Sequence, residues 1–163
     1  MPEPNELPNL ANAIFSLEVC SIGQSRTMED WRPLGKHRMR VEEDVLFVVA
    51  QGEIEGDEII GLCEQLLQIQ QKHGWVFEIV DATAGTGMSA KTRRQNAEWH
   101  RQHSLDVEAA VFGAGVFLQT IFSLLANALR IIGRGRLRTQ FVANEAEARA
   151  WVALRREARR ATT

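Results

Sequence analysis

The residues most suggestive of chemistry lie in the stretch GTGMSAKT at positions 85–92. The phosphate-binding loop of nucleotide hydrolases reads Gly, four residues, Gly, Lys and Ser or Thr after a strand. Gly85, Lys91 and Thr92 fall in that register, but Ala90 occupies the place of the second glycine. That glycine lets the backbone approach a phosphate in a conformation that a Cβ atom disfavours. The motif is therefore matched in part, and nucleotide binding stands as one alternative.

Other reactive side chains are scattered along the chain. His100 and His103 lie three residues apart and could share a metal ion, but neither a cysteine nor a further histidine lies beside them, which favours two surface histidines. Cys20 and Cys63 have no metal-binding spacing. No Ser-His-Asp, Cys-His or paired-carboxylate arrangement is recognisable. We therefore expect no enzymatic activity, no cofactor and no metal site.

The composition is that of an ordinary globular protein. The chain has 163 residues, of which 45% are hydrophobic and 25% charged, and its net charge is −2, so nothing global favours nucleic acid. The segment MPEPNELPNL lacks the features of a signal peptide. The longest apolar stretch, residues 116–133, contains Gln119, Asn127 and Arg130 and is too polar for a membrane span. These features predict a cytoplasmic protein without a transmembrane segment.

Hydrophobic periodicity predicts strands and helices in alternation. HRMRVEE and DVLFVVAQGEI indicate a hairpin that turns at Glu43–Asp44, and the apolar face from Ile59 to Leu67 indicates a helix that ends at Gly74. The later pattern indicates, in order, a strand over 75–81, a helix capped by Ser89, a strand over 107–115, an apolar helix from 116, a strand over 136–143 and a helix capped by Asn144.

This order predicts an α/β domain over residues 31–163, with residues 1–30 as an N-terminal tail or extension. The sheet should be small and mostly parallel, with an antiparallel edge hairpin and about four helices. The carboxyl ends of parallel strands share one edge, so Asp81–Ser89 should lie close to Gly113–Val116. Open α/β sheets usually bind their ligands at that edge.

Several stretches resemble the STAS superfamily, the anti-sigma-factor antagonists and their lipid-transfer-like relatives. They are WRPLGKHR leading into VEEDVLFVVAQGEI, the apolar strand that ends at Asp81, the serine at the next helix start, and RTQFVANEAEARAWV. The resemblance covers about residues 31–155. It implies a sheet-and-helix module without enzymatic activity that binds a regulatory protein partner.

In the antagonists that this chain resembles, a strand ends in Asp, and a kinase phosphorylates a hydroxyl at the start of the next helix. Asp81 and Ser89 match these two positions, although the intervening stretch DATAGTGMSA is longer than the family's Asp-Ser-Ser-Gly. Added phosphate charge would expel the module from its partner. The candidate partner-binding, anion-binding or switch residues are Asp81, Thr83, Thr86, Ser89, Lys91, Arg93 and Arg94.

The helix from residue 116 has more apolar surface than one sheet face can cover. Residues 11–30 could cover the excess, or it could form a homodimer interface, or it could line a pocket for a lipid or other small apolar ligand. The residues concerned are Phe117, Ile121, Phe122 and Leu125. Three functions thus stay open: a regulatory module that binds a protein, a carrier of an apolar ligand, and a nucleotide-binding protein.

Overall fold

The computed structural model describes residues 30–132 and 135–162. The predictions made for residues 1–29 lie outside this range. The described elements are β1 (Arg32–Leu34), β2 (His37–Glu42), β3 (Val45–Ile54), α1 (Gly56–His73), β4 (Val76–Met88), α2 (Ala90–Gln102), β5 (Leu105–Phe112), α3 (Val116–Ile132), β6 (Gly135–Phe141) and α4 (Glu145–Arg160).

The six strands form one sheet in the order β1-β2-β3-β4-β5-β6. β1, β2 and β3 pair antiparallel, and β3 to β6 pair parallel. The predicted fold class, a mostly parallel α/β sheet with an antiparallel edge and four helices, is confirmed. Each parallel crossover leads to the next strand with the same hand, which places α1, α2 and α3 on one face of the sheet. α4 follows the last strand and packs on the opposite face.

Local signals in the sequence explain where most elements begin and end. The hairpin turns at Glu43 and Asp44, with Glu43 at a positive φ of 57°. Asn144 caps α4 by accepting a hydrogen bond from the Glu147 amide at 3.0 Å, as predicted. The short strand β1 was not predicted, because MEDWRPLG has the composition of a turn and acquires its extended form by pairing with β2.

β4 differs most from the prediction. It was expected to end at Asp81, but it continues to Met88, and its last part pairs with β3 from Gln51 to Ile54. The partly matched phosphate-binding motif therefore starts inside a paired strand and ends in the first turn of α2. A strand does not present the converging amide groups that cradle a phosphate, so the predicted loop at this position is wrong.

Candidate functional site

A cavity of about 110 Å³ lies between the sheet and the three helices α1, α2 and α3. It is comparable in size to an engineered cavity of about 150 Å³ that binds benzene in another protein. Most of its wall is aliphatic, and its main apolar lining residues are Val48, Ile59, Leu62, Leu66, Val80, Val107, Leu118, Ile121, Leu125 and Leu129.

Small and polar side chains explain why this space is left. The sheet contributes Ala50, Ala82 and Gly85 to the cavity wall, and none of them reaches far toward the helices. Above them lies α2, whose inward face is largely polar and consists of Thr92, Asn96, Trp99 and His100. Most buried helix faces carry long aliphatic side chains instead. The volume between the two layers is therefore underfilled relative to a normal core.

The extension of β4 covers one end of the cavity. Gly87 has a φ of 118°, and a Cβ atom placed there would lie 3.1 Å from Cδ1 of Ile121 on α3. Glycine at this position allows the strand to curve closely over α3. Residues of the partly matched phosphate-binding motif, Gly85, Gly87 and Met88, thus help to close an apolar space.

Glu78 is an ionisable group inside this apolar wall. It lies on the cavity side of β4 with 6% of its surface exposed. Across the described part of the chain, its carboxyl group has neither a hydrogen bond nor an ion pair, and burial raises its pKa to about 7. Removal from water favours the protonated form because a buried charge loses its hydration.

The neighbouring polar groups of the cavity are neutral near pH 7. The Cys63 thiol donates to Oδ1 of Asn96 at 3.4 Å, and its Sγ lies 3.9 Å from Nε2 of His100. Burial, reinforced by the nearby Glu78 and Glu64, raises the pKa of Cys63 to about 12. Burial, together with His103, lowers the pKa of His100 to about 4. Of these groups, Glu78 is the one that changes charge near neutral pH.

His37 lines the cavity as well, but both of its ring nitrogens are occupied. Nδ1 accepts a hydrogen bond from the Gln51 amide at 2.9 Å, and Nε2 lies 3.0 Å from the carboxylate of Glu58. Because Nδ1 accepts, the ring proton lies on Nε2 and is donated to Glu58. His37 therefore ties β2 to β3 and α1 and leaves no polar atom for a ligand.

The structure brings one group of the predicted switch residues together. Asp81 lies opposite Phe112 of β5 and accepts a hydrogen bond from the Thr83 amide at 3.0 Å. A Cβ atom at Gly113 would lie 2.3 Å from Oγ1 of Thr83, so these two residues are in close contact. Asp81, Thr83 and Gly113 form a rim where β5 ends beside the middle of β4, and Thr83 is exposed there.

Ser89 does not belong to this rim. It lies eight residues beyond Asp81, which corresponds to roughly 25 Å of extended chain. Its Oγ accepts from the Thr92 amide at 3.0 Å, which confirms the predicted N-cap of α2. The remaining predicted residues follow β4 and the start of α2, where their side chains are exposed: Thr86, Lys91, Arg93 and Arg94.

The candidate residues of α3 point in two directions. Ile121, Phe122 and Leu125 line the cavity. Phe117 faces outward and is 70% exposed. The outer face of α3 carries further exposed apolar side chains at a spacing of seven residues from Phe117, namely Leu124 and Ile131.

Sequence reasoning missed the polar cluster of the cavity. His100 was predicted to lie on the surface, and this is wrong, since only 7% of it is exposed. The available signal was the spacing of Thr92, Asn96, Trp99 and His100, which marks one helix face even though three of the four are polar. For Glu78 the signal was an acid in the interior of the otherwise apolar run WVFEIV, residues 75–80.

The comparison with protein families identifies this fold. A model of the SpoIIAA-like family matches residues 45–153. Among curated proteins no match was found. None of the helices in the described ranges combines the length and the apolar composition needed to cross a bilayer.

Two solved structures are similar to this chain. The anti-sigma factor antagonist SpoIIAA in its unphosphorylated form shares 10% identity at a TM-score of 0.46, over 72% of this chain and 97% of that one. An uncharacterized DUF3478 protein with a SpoIIAA-like fold from Shewanella loihica PV-4 shares 14% identity at a TM-score of 0.48, over 69% and 89%. The predicted resemblance to the antagonists is confirmed by the family match. Because that match covers more than half of its length, the chain belongs to the SpoIIAA-like family.

Proposed function

We propose that this chain is a non-catalytic regulatory module that takes up a small apolar molecule between its sheet and its helices. The observation that carries the proposal is the aliphatic cavity beneath α1, α2 and α3. The proposal treats residues 31–163 as the regulatory domain and residues 1–30 as an extension.

The energetics of packing support a ligand. The space of about 110 Å³ between the sheet and the helices leaves its lining side chains short of packing partners. An apolar molecule that fills it recovers dispersion contacts that the lining side chains otherwise lack. The cavity also touches three crossover helices, so its occupation would act on all of them together.

Toluene is the probe for this proposal, and a matched pair of variants tests the site. Toluene at ten times its Kd should raise the Tm of the parent chain by about 3 to 5 °C. Leu125→Phe adds bulk at a lining position and should abolish this shift, because the new ring occupies the cavity. Leu154→Phe makes the same change on α4, at a position that is 64% exposed, and should retain the shift. The measurement is thermal unfolding followed by circular dichroism.

An unshifted Tm for the parent chain at saturating toluene would contradict the proposal. So would equal shifts in the two variants. Isothermal titration at 25 °C separates loss of binding from loss of folding, because both variants can first be shown to be folded at that temperature.

As a second function we propose docking of a regulatory protein partner on the rim and on the outer face of α3. The observation that favours it is the exposed apolar stripe of Phe117, Leu124 and Ile131. Large apolar side chains at the surface in a continuous row commonly mark interaction sites. A second copy of the chain is the alternative occupant, and the mass of the purified protein in solution distinguishes a homodimer from a monomer.

The proposed switch at Ser89 can be tested without losing the helix cap. Ser89→Ala should lower the free energy of unfolding by about 1 kcal/mol, since the Thr92 amide loses its acceptor. Ser89→Asp still caps the helix, so its stability should stay within about 0.5 kcal/mol of the parent chain. If charge at this position controls docking, Ser89→Asp should lose partners that the parent chain and Ser89→Ala both capture. Identical partners for all three proteins would rule out the switch.

A further inference from the structure

We propose that the cavity selects small apolar molecules that carry one hydrogen-bond-donating group, and that the Glu78 carboxyl group accepts the hydrogen bond. This inference rests on the proposed uptake of an apolar ligand and names the chemical class of that ligand.

Glu78 has unmet hydrogen-bonding capacity. Glu78 is 94% buried on the cavity wall, and its carboxyl group has no protein partner within residues 30–132 and 135–162. Buried polar groups in native proteins nearly always have a partner, because an unpaired one loses its hydration without compensation. Two other buried polar groups of the wall have partners, His37 with Gln51 and Glu58 and Cys63 with Asn96, and Nε2 of His100 lies 3.9 Å from Sγ of Cys63. Glu78 is the buried ionisable side chain of this wall that has no protein partner among the described residues, and its carboxyl group can accept from an incoming molecule.

The volume of the cavity and the charges of its lining groups restrict the ligand further. About 110 Å³ is enough for a single ring or a short alkyl group. The titratable groups that line the cavity from the helices are the thiol of Cys63 and the imidazole of His100, both neutral near pH 7. The cationic lining residue, Arg136 of β6, is exposed. A carboxylate ligand would therefore meet a like charge at Glu78 without a buried cation to offset it.

The free acceptor at Glu78 and the size of the cavity together define the ligand class. A phenol, an aromatic alcohol or an indole combines one ring with one O–H or N–H donor. Such a molecule would fill the aliphatic part of the cavity and place its donor at Glu78. Purely apolar rings would leave the carboxyl group unpaired, and aromatic acids would be repelled.

Three single-ring probes test the inference: phenol and toluene, which match in size, and benzoate, which is larger and anionic. At pH 8 the parent chain should bind phenol about fivefold to tenfold more tightly than toluene and should bind benzoate most weakly. Glu78→Leu removes the acceptor and should bring the Kd values of phenol and toluene together. Glu78→Gln keeps a carbonyl acceptor without a charge, so the preference for phenol should persist while benzoate gains affinity. Titration calorimetry measures all nine values.

The control is Glu64→Leu, which replaces an exposed carboxylate on α1 and should leave the preference for phenol unchanged. Equal Kd values for phenol and toluene in the parent chain would overturn the inference while leaving the proposed uptake of apolar ligands intact. A preference for phenol that survives in Glu78→Leu would overturn it as well. Absence of toluene and phenol binding would overturn the proposed function itself.

Discussion

Glu78→Gln should gain stability relative to the parent chain as the pH rises from about 4.5 to about 7. The ordinary pKa of this carboxyl group is 4.5, and burial raises it to about 7 in the folded protein. A shift of this size corresponds to about 3 kcal/mol, at about 1.4 kcal/mol per pH unit. This is the largest stability effect that we expect from a single substitution.

The sign follows from proton counting. Between the two pKa values the unfolded chain has released the proton of Glu78, while the folded chain still binds it. Unfolding therefore releases a proton, and the free energy of unfolding of the parent chain falls as the pH rises through this window. Glutamine cannot ionise, so the free energy of unfolding of the variant does not fall in this way.

The comparison with the variant is necessary because His100 acts in the opposite direction. Its pKa is lowered from 6.5 to about 4 by burial, so between these values the unfolded chain binds a proton that the folded chain excludes. This contribution increases stability as the pH rises and partly hides the effect of Glu78 in the parent chain. The substitution at Glu78 leaves His100 in place, and the difference between the two proteins isolates Glu78.

The measurement is urea unfolding of both proteins at pH values from 4 to 8. Glu64→Gln serves as the control for the loss of one carboxylate from the net charge, since Glu64 is exposed. A difference between Glu78→Gln and the parent chain that stays constant over this range would contradict the assignment of Glu78 as a buried, unpaired acid.

The sequence was sufficient for the parts of the fold that local chemistry determines. Ser89 and Asn144 cap the helices that they were predicted to cap, because a side-chain oxygen before a helix satisfies an amide within the next three residues. The alternation of strand and helix patterns after Val45 likewise predicted that the later strands are parallel. These features need no knowledge of distant residues.

The extension of β4 could not be read from its own residues. The stretch ATAGTGM has little apolar alternation, and its extended form depends on pairing with Gln51–Ile54 of β3. Tertiary pairing overrode the local preference for a loop. The same extension separates Ser89 from Asp81. Whether these two residues share one rim depends on the length of β4, and pairing with β3 determines that length.

The cavity could not be predicted from the sequence, for a different reason. An underfilled space is a property of four elements at once: the small residues of the sheet, the polar inner face of α2, and the side chains of α1 and α3. The sequence did indicate that Ile121 and Leu125 could line an apolar pocket. It could not indicate that Glu78 lies in the same wall, because strand periodicity gives the face of a residue and not its distance from a helix.

Asp44→Ala should lower the free energy of unfolding by about 2 to 3 kcal/mol. Asp44 is 95% buried at the hairpin turn, where its carboxylate accepts from Nε1 of Trp75 at 2.8 Å and from Nε of Arg156 at 2.9 Å. Loss of the carboxylate leaves both donors without an acceptor, which costs about 1 to 3 kcal/mol for each buried group. Because Arg156 is 25% exposed and can regain water, we expect less than the full cost of breaking a buried ion pair.

Urea unfolding measures this loss, and Asp106→Ala, at an exposed position of β5, is the matched control. Asp44→Ala and Arg156→Ala should be non-additive by about 1 kcal/mol or more, since they remove the same contact. α4 lies on the face of the sheet opposite the cavity, so Asp44→Ala should keep the shift in Tm that toluene produces. If the variant lost both stability and the toluene shift, the two faces of the sheet would be coupled, and α4 would belong to the binding site as much as α3 does.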